Sequence, residues 1–224
     1  MINKADFYYF SPTGGTKKTG EIFAREIAEN VQFIDLGSKQ EQKETDHELA
    51  VIAIPVFGGR LPAFASEKLR KINGAGKKAV TFAVYGTRAY EDALLELNDL
   101  AEECGFQVIA SGAFVARHSI VPEVGAGRPD EQDAAELREF AKKVLEKIEK
   151  GSDEAVQVPG NRPYKQFLSQ LVYSVENALQ SVRQMRLLLK EMLFRQAQKN
   201  VCFVWLVLPH VQNTHEFYLR QYRK

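Results

Sequence analysis

Ser11, Thr13 and Thr16, with Gly14 and Gly15 between them, are the residues of this sequence best suited to hold an anion. They lie in the stretch FYYFSPTGGTKKTGEIF, where an apolar, aromatic strand runs into a short hydroxyl- and glycine-bearing turn and then into a helix. Backbone N–H groups of such a turn and of the helix start converge on one point, and the hydroxyls can donate as well. The two glycines allow close approach of the backbone to a ligand. The spacing is neither the G-x-x-x-x-G-K-[ST] nucleotide loop nor the G-x-G-x-x-G dinucleotide turn. A dianionic phosphate monoester is therefore the expected ligand.

Two further stretches add surfaces for a flat ring. In PVFGGRLP, Pro55, Phe57, Gly58 and Gly59 offer backbone polar groups and one aromatic face, and in VYGTRAYED the same role falls to Tyr85, Gly86 and Tyr90. Aromatic faces exclude water from a bound ring and add dispersion contacts. Arg60 and Arg88 are expected to be solvated, Lys17 and Lys18 to be surface residues of a first helical turn, His118 to be a loop histidine and Cys104 a buried small residue. Residues 1–160 contain no visible nucleophile–base pair, acid–base carboxylate pair or metal-ligand cluster. Chemistry must then come from a bound cofactor, which leaves open whether the chain is an enzyme or an electron carrier.

The elements that must position these residues alternate between strand and helix. Strands are expected at Ala5–Phe10, Val31–Leu36, Leu49–Val56, Ala79–Tyr85 and Gln107–Val115, and helices at Thr16–Asn30, Pro62–Ile72, Glu91–Cys104 and Glu131–Lys150. Pro62 suits a first turn, and Asp130 a cap. Continuous apolar strands such as LAVIAIPV belong in a sheet buried on both faces, so the fold class is α/β, a doubly wound parallel sheet with helices on both sides. Residues 1–151 form this domain, and the polar, Gly- and Pro-bearing residues 152–165 read as a linker.

The 224 residues carry a formal net charge of +1, with no overall bias toward nucleic acid or membrane. Charge is nevertheless asymmetric, because Lys and Arg far outnumber Glu beyond Gly160. Two cysteines, Cys104 and Cys202, make neither a disulfide framework nor a four-ligand metal site, so a reducing, cytoplasmic setting is expected. MINKADFYYF lacks the apolar core of a signal peptide, and the longest apolar run, Val201–Pro209, is too short for a membrane span.

The turn Ser11-Pro12-Thr13-Gly14-Gly15-Thr16 resembles the T/S-x-T-G-x-T phosphate loop of the flavodoxin family. That resemblance implies a five-stranded sheet of order 2-1-3-4-5, with FMN bound noncovalently at the topological switch point. Its phosphate would lie on Ser11–Thr16 and its ring between the loops at Phe57 and Tyr90. PVFGGRLP, VYGTRAYEDALLEL and PGNRPYK together look like a narrower group, cytoplasmic fusions of a flavodoxin-like domain to a ferredoxin domain with two 4Fe-4S clusters, over about residues 1–165. Redox partner proteins follow as the implied partners. A cofactor-free interaction module and an FMN-dependent reductase of a small molecule such as a quinone are the alternatives.

In that group the linker is followed by two runs of the form C-x2-C-x2-C-x3-C-P, and this chain has neither. Val172, Val175, Ala178 and Val182, then Val201, Val204, Val207 and Val211, nevertheless recur at that spacing. Codons read from the third base of the preceding residue can encode cysteine wherever the next residue is Val or Ala. Residues 166–224 thus read as a ferredoxin domain translated out of frame. Such a tail lacks cluster ligands and is expected to be disordered or partly helical over Ser181–Ala197. A genuine helical arm with a Leu187, Leu188, Met192, Leu193 stripe is the rival reading.

Overall fold

The computed structural model describes residues 1–38, 47–151 and 154–165, so the expectations placed on residues 166–224 lie outside the described residues. Strands β1 (Ile2–Tyr9), β2 (Ala28–Asp35), β3 (Leu49–Pro55), β4 (Lys78–Tyr85) and β5 (Gln107–Val115) alternate with helices α1 (Gly15–Ile27), α2 (Ala63–Leu69), α3 (Ala93–Glu103) and α4 (Glu131–Glu149). All strand pairs are parallel, and the sheet order is β2-β1-β3-β4-β5. The doubly wound fold and strand order expected from the sequence are both present.

Period-two side-chain alternation divides the core into two layers. Ala5, Phe7 and Tyr9 of β1, with Val51 and Ala53 of β3, face α1 and α4. Tyr8, Ala50, Ile52 and Ile54 face α2 and α3 on the other side. Phe23, Phe82, Phe114 and Phe140 pack on one another at centroid separations of 4.8–5.9 Å, and full burial of each such ring stabilises the fold by roughly 1.5–3 kcal/mol. Helix α1 approaches the sheet closely at Gly20, where an added Cβ would lie 2.3 Å from the Phe7 ring. Helix α4 opens with a reciprocal cap in which Asp130 accepts from the Asp133 N–H and Asp133 accepts from the Asp130 N–H.

Two departures from the sequence expectation arise from contacts between residues distant in sequence. Helix α1 stops at Ile27 rather than Asn30, because Ala28 pairs with Ile2 in the sheet and the Asn30 side chain donates to the Asn3 carbonyl. Residues 160–165 do not run as a plain linker but are bonded to α3, as detailed below.

A polar cluster of buried Thr81 and Asn98 with half-buried Ser111 joins β4, β5 and α3. The Thr81, Ser111 and Asn98 side chains lie 2.6–3.0 Å from one another. Just before Thr81 the β4–β5 register shifts by one residue between Ala79 and Val80, which brings Ser111 opposite Thr81.

Candidate functional site

In an all-parallel sheet the loops after β1, β3, β4 and β5 lie at one edge, and the order 2-1-3-4-5 reverses direction between β1 and β3. All of the sequence-expected site residues belong to the β1, β3 and β4 loops or to the adjoining element ends.

The β1 loop narrows into α1 through Gly14, which adopts φ +86° at the cap position with nothing within 4 Å of the place a Cβ would occupy. No side chain caps the helix in the usual way. Instead Ser11 Oγ accepts from the Lys17 N–H at 3.0 Å, and the Lys18 N–H donates to the Gly14 carbonyl. The N–H groups of Gly15 and Thr16, at the positive end of the helix dipole, have no acceptor among the described residues. Thr13 is exposed and Thr16 buried, and neither hydroxyl has a hydrogen-bond partner among the described residues. Since Ser11 uses only a lone pair on Lys17, its proton is also free to donate. Lys17 reaches toward the Tyr9 and Phe33 rings, and Lys18 donates to the Pro129 carbonyl at 2.7 Å. Both lysines are thus engaged with the chain's own surface.

After β3, Phe57 and Arg60 bond each other reciprocally, N–H to C=O at 2.9 and 3.2 Å. Gly58 (φ +59°) and Gly59 (φ +81°) occupy the two central positions of this tight turn, a geometry that demands positive φ at both. Pro55, the last residue of β3, is buried opposite Val84. Arg60 is not solvated as expected. Its guanidinium grips Glu96 of α3 through Nε and Nη2 at 2.7 and 2.9 Å, and this carboxylate pairing raises its pKa against the opposing effect of burial.

After β4, the Tyr85 and Tyr90 rings meet edge to face at 5.4 Å. Burial pushes the Tyr85 hydroxyl pKa up, with the neighbouring Tyr90 adding to the rise. Arg88 pairs with Glu91 Oε1 at 2.6 Å. Glu91 itself has φ +45°, and its Oε2 is a buried oxygen with no hydrogen-bond partner among the described residues. That carboxylate sits under the preceding loop, since a Cβ on Gly59 would lie 2.4 Å from Glu91 Oε2. The β3 and β4 loops are therefore in direct contact.

A fourth loop, residues 116–128 after β5, was not among the expected site elements. A Cβ on Gly15 would meet Ala116 Cβ at 3.2 Å, and one on Gly86 would meet His118 at 2.6 Å, so this loop touches both the β1 and β4 loops. His118 organises it, as a loop histidine should. Its Nδ1 accepts from the Ile120 and Val121 N–H groups at 3.2 and 3.1 Å, and burial pushes its pKa down. The turn residues of VPEVGAGRP were the signal available for this loop; Glu91 left none, because its strain and its orphaned oxygen arise only from tertiary contact.

The strap at residues 160–165 reaches the same region through α3. Asp92, 1% exposed, accepts from the Asn161 N–H and Nδ2 at 2.9 and 3.0 Å and from the Lys165 N–H at 2.7 Å. Burial alone would raise its pKa, but these donors together hold it below the ordinary value. Asp99 accepts from Arg162 and from the Tyr164 hydroxyl, and its pKa is lowered chiefly by Arg162. Among the described residues no group of three His, Cys, Asp or Glu could hold a metal, and no helix is long and apolar enough to cross a membrane.

No protein-family model and no curated protein matches the chain. Solved structures do. Oxidised flavodoxin 2 from Bacillus cereus superposes at a TM-score of 0.51 with 19% identity, covering 64% of this chain and 99% of its own. Rubredoxin oxygen:oxidoreductase from the anaerobe Desulfovibrio gigas superposes at 0.52 with 16% identity over 66% of this chain, which spans only 37% of that longer protein. At such identities the likeness concerns architecture: the domain built from β1–β5 and α1–α4 has a flavodoxin-like fold.

Proposed function

We propose that the chain binds FMN noncovalently and works as an electron-transfer flavoprotein. The observation that carries this reading is the pair of unclaimed N–H groups at Gly15 and Thr16, beside the open φ-positive Gly14, at the switch point of the sheet. A phosphate monoester would take its hydrogen bonds from these groups and from the Ser11, Thr13 and Thr16 hydroxyls. Pro55, Phe57, Gly58 and Gly59 on one loop, with Tyr85, Gly86 and Tyr90 on the other, supply apolar cover and backbone polar groups for a ring. Bound FMN supplies reversible one- and two-electron chemistry, and the chain contributes position, exclusion of water and local electrostatics.

Fluorescence titration tests the proposal. Apo-protein should quench FMN fluorescence stoichiometrically and stay yellow on dialysis, and riboflavin, which lacks the phosphate, should bind more weakly. Unquenched FMN that dialyses away colourless refutes the reading and favours the cofactor-free interaction module.

We further infer that residues 166–224 descend from a two-cluster ferredoxin domain read out of frame, so that redox partners of the in-frame relative would include its own 4Fe-4S clusters. The recurring Val and Ala positions support this inference. Resequencing the gene tests it, and codons that cannot yield TGT or TGC across those junctions end it.

A further inference from the structure

We propose that residues 160–165 are a positioning strap for the ring-binding end of the molecule, holding the Gly58–Gly59 turn in place through Arg60. Asp92, the cap residue of α3, and Glu96 and Asp99 within it recur at helical spacing and present one acidic stripe. The strap occupies two of the three, since Asn161 and Lys165 satisfy Asp92 while Arg162 and Tyr164 satisfy Asp99. Glu96, between them, is taken by Arg60 and also accepts from the Leu61 N–H at 3.0 Å.

Arg60 is thereby enclosed. Its guanidinium lies 4.9 Å from the Tyr164 ring centroid, and its Nη1 reaches the Lys165 carbonyl at 3.4 Å. Arg60 is also the residue whose N–H and C=O close the turn on Phe57. Immobilising its side chain from α3 on one side and the strap on the other restricts the backbone of the turn as well. Gly160 lets the strap settle onto α3, because a Cβ there would lie 2.8 Å from Leu95. Asp92 makes the strap integral, for without it this buried carboxylate would lose all three of the donors described here.

The test uses the full chain as wild type, Tyr164→Ala and Tyr164→Phe. In apo-protein, hydrogen exchange of the Phe57 and Arg60 amides should accelerate by about tenfold or more in Tyr164→Ala while the amides of β3 keep their wild-type protection. Tyr164→Phe keeps a ring over Arg60 and should stay within about threefold of wild type. The affinity readout rests on the FMN reading: Tyr164→Ala should weaken FMN and riboflavin alike by roughly tenfold, since the turn serves the ring and not the phosphate. Wild-type exchange at Phe57 and Arg60 in Tyr164→Ala overturns the strap, as does a uniform rise across β3 and the turn, which would mark general loosening. A wild-type protein that binds no FMN defeats the functional reading alone, because the exchange readout still decides the strap.

Discussion

Replacing Glu91 by glycine should stabilise the protein although it deletes an ion pair. The residue sits at φ +45°, where a side chain costs about 1–2 kcal/mol relative to the right-handed region. Its Oε2 is buried without a donor among the described residues, at a cost of about 1–3 kcal/mol. Against these stand the half-buried pair with Arg88, about 0–1 kcal/mol, and the added freedom of glycine in the unfolded chain, about 0.5–1 kcal/mol. The balance favours Glu91→Gly by roughly 1–3 kcal/mol, which for a domain of this size raises Tm by about 3–9 °C. A second substitution makes the reasoning specific. Gly59→Ala places a Cβ 2.4 Å from Glu91 Oε2, so its cost should fall by at least ~1 kcal/mol in the Glu91→Gly background, where only the left-handed strain at position 59 remains. Urea unfolding of the four proteins, fitted with a common m-value, measures both quantities. A destabilised Glu91→Gly variant, or a cycle that closes additively, would show that the contact between the two loops stores no strain.

Two other outcomes follow from the same geometry. Burial lowers the His118 pKa below its free value of 6.5, so the unfolded chain binds the proton more tightly; stability is full above about pH 6.5 and declines as pH falls through the lowered folded value. In His118→Asn, whose amide oxygen can accept from the same two N–H groups without titrating, the stability lost between about pH 7 and 5 should be smaller, and equal slopes in the two proteins would remove His118 as the cause. Gly20→Ala drives a methyl into the Phe7 ring and should destabilise by about 1–3 kcal/mol, whereas the same change at exposed Gly127, which has φ +87° but open space, should cost only about 1–2 kcal/mol of backbone strain.

The order of elements was legible because each one carries its own periodic signal. LAVIAIP is apolar at every position and becomes the fully buried β3, while the Asp130 cap and the glycine at 151 frame α4 as expected. The Ser11–Thr16 turn was legible because it is contiguous and depends only on local backbone chemistry. What escaped the sequence was pairing at long separation. Nothing near Arg60 announces Glu96, 36 residues away, and nothing near Asp92 announces Asn161, 69 residues on. Polar residues 160–165 therefore read as a tether when they are a bonded part of the domain. The same limit hid the contacts of the β5 loop, since Gly15 and Gly86 meet it only once the sheet is assembled.

The Thr81–Asn98–Ser111 cluster governs how accurately that assembly is made. If β5 paired with β4 without the one-residue shift, Ala110 would stand opposite Thr81 in place of Ser111, and buried Thr81 and Asn98 would lose a hydrogen-bond partner. A mispaired strand is thereby penalised within the sheet, before its closing loop is reached. The benefit appears at the other end of the strand, because every residue of offset would carry Ala116 and His118 about 3.3 Å along the sheet, away from the glycines they must touch.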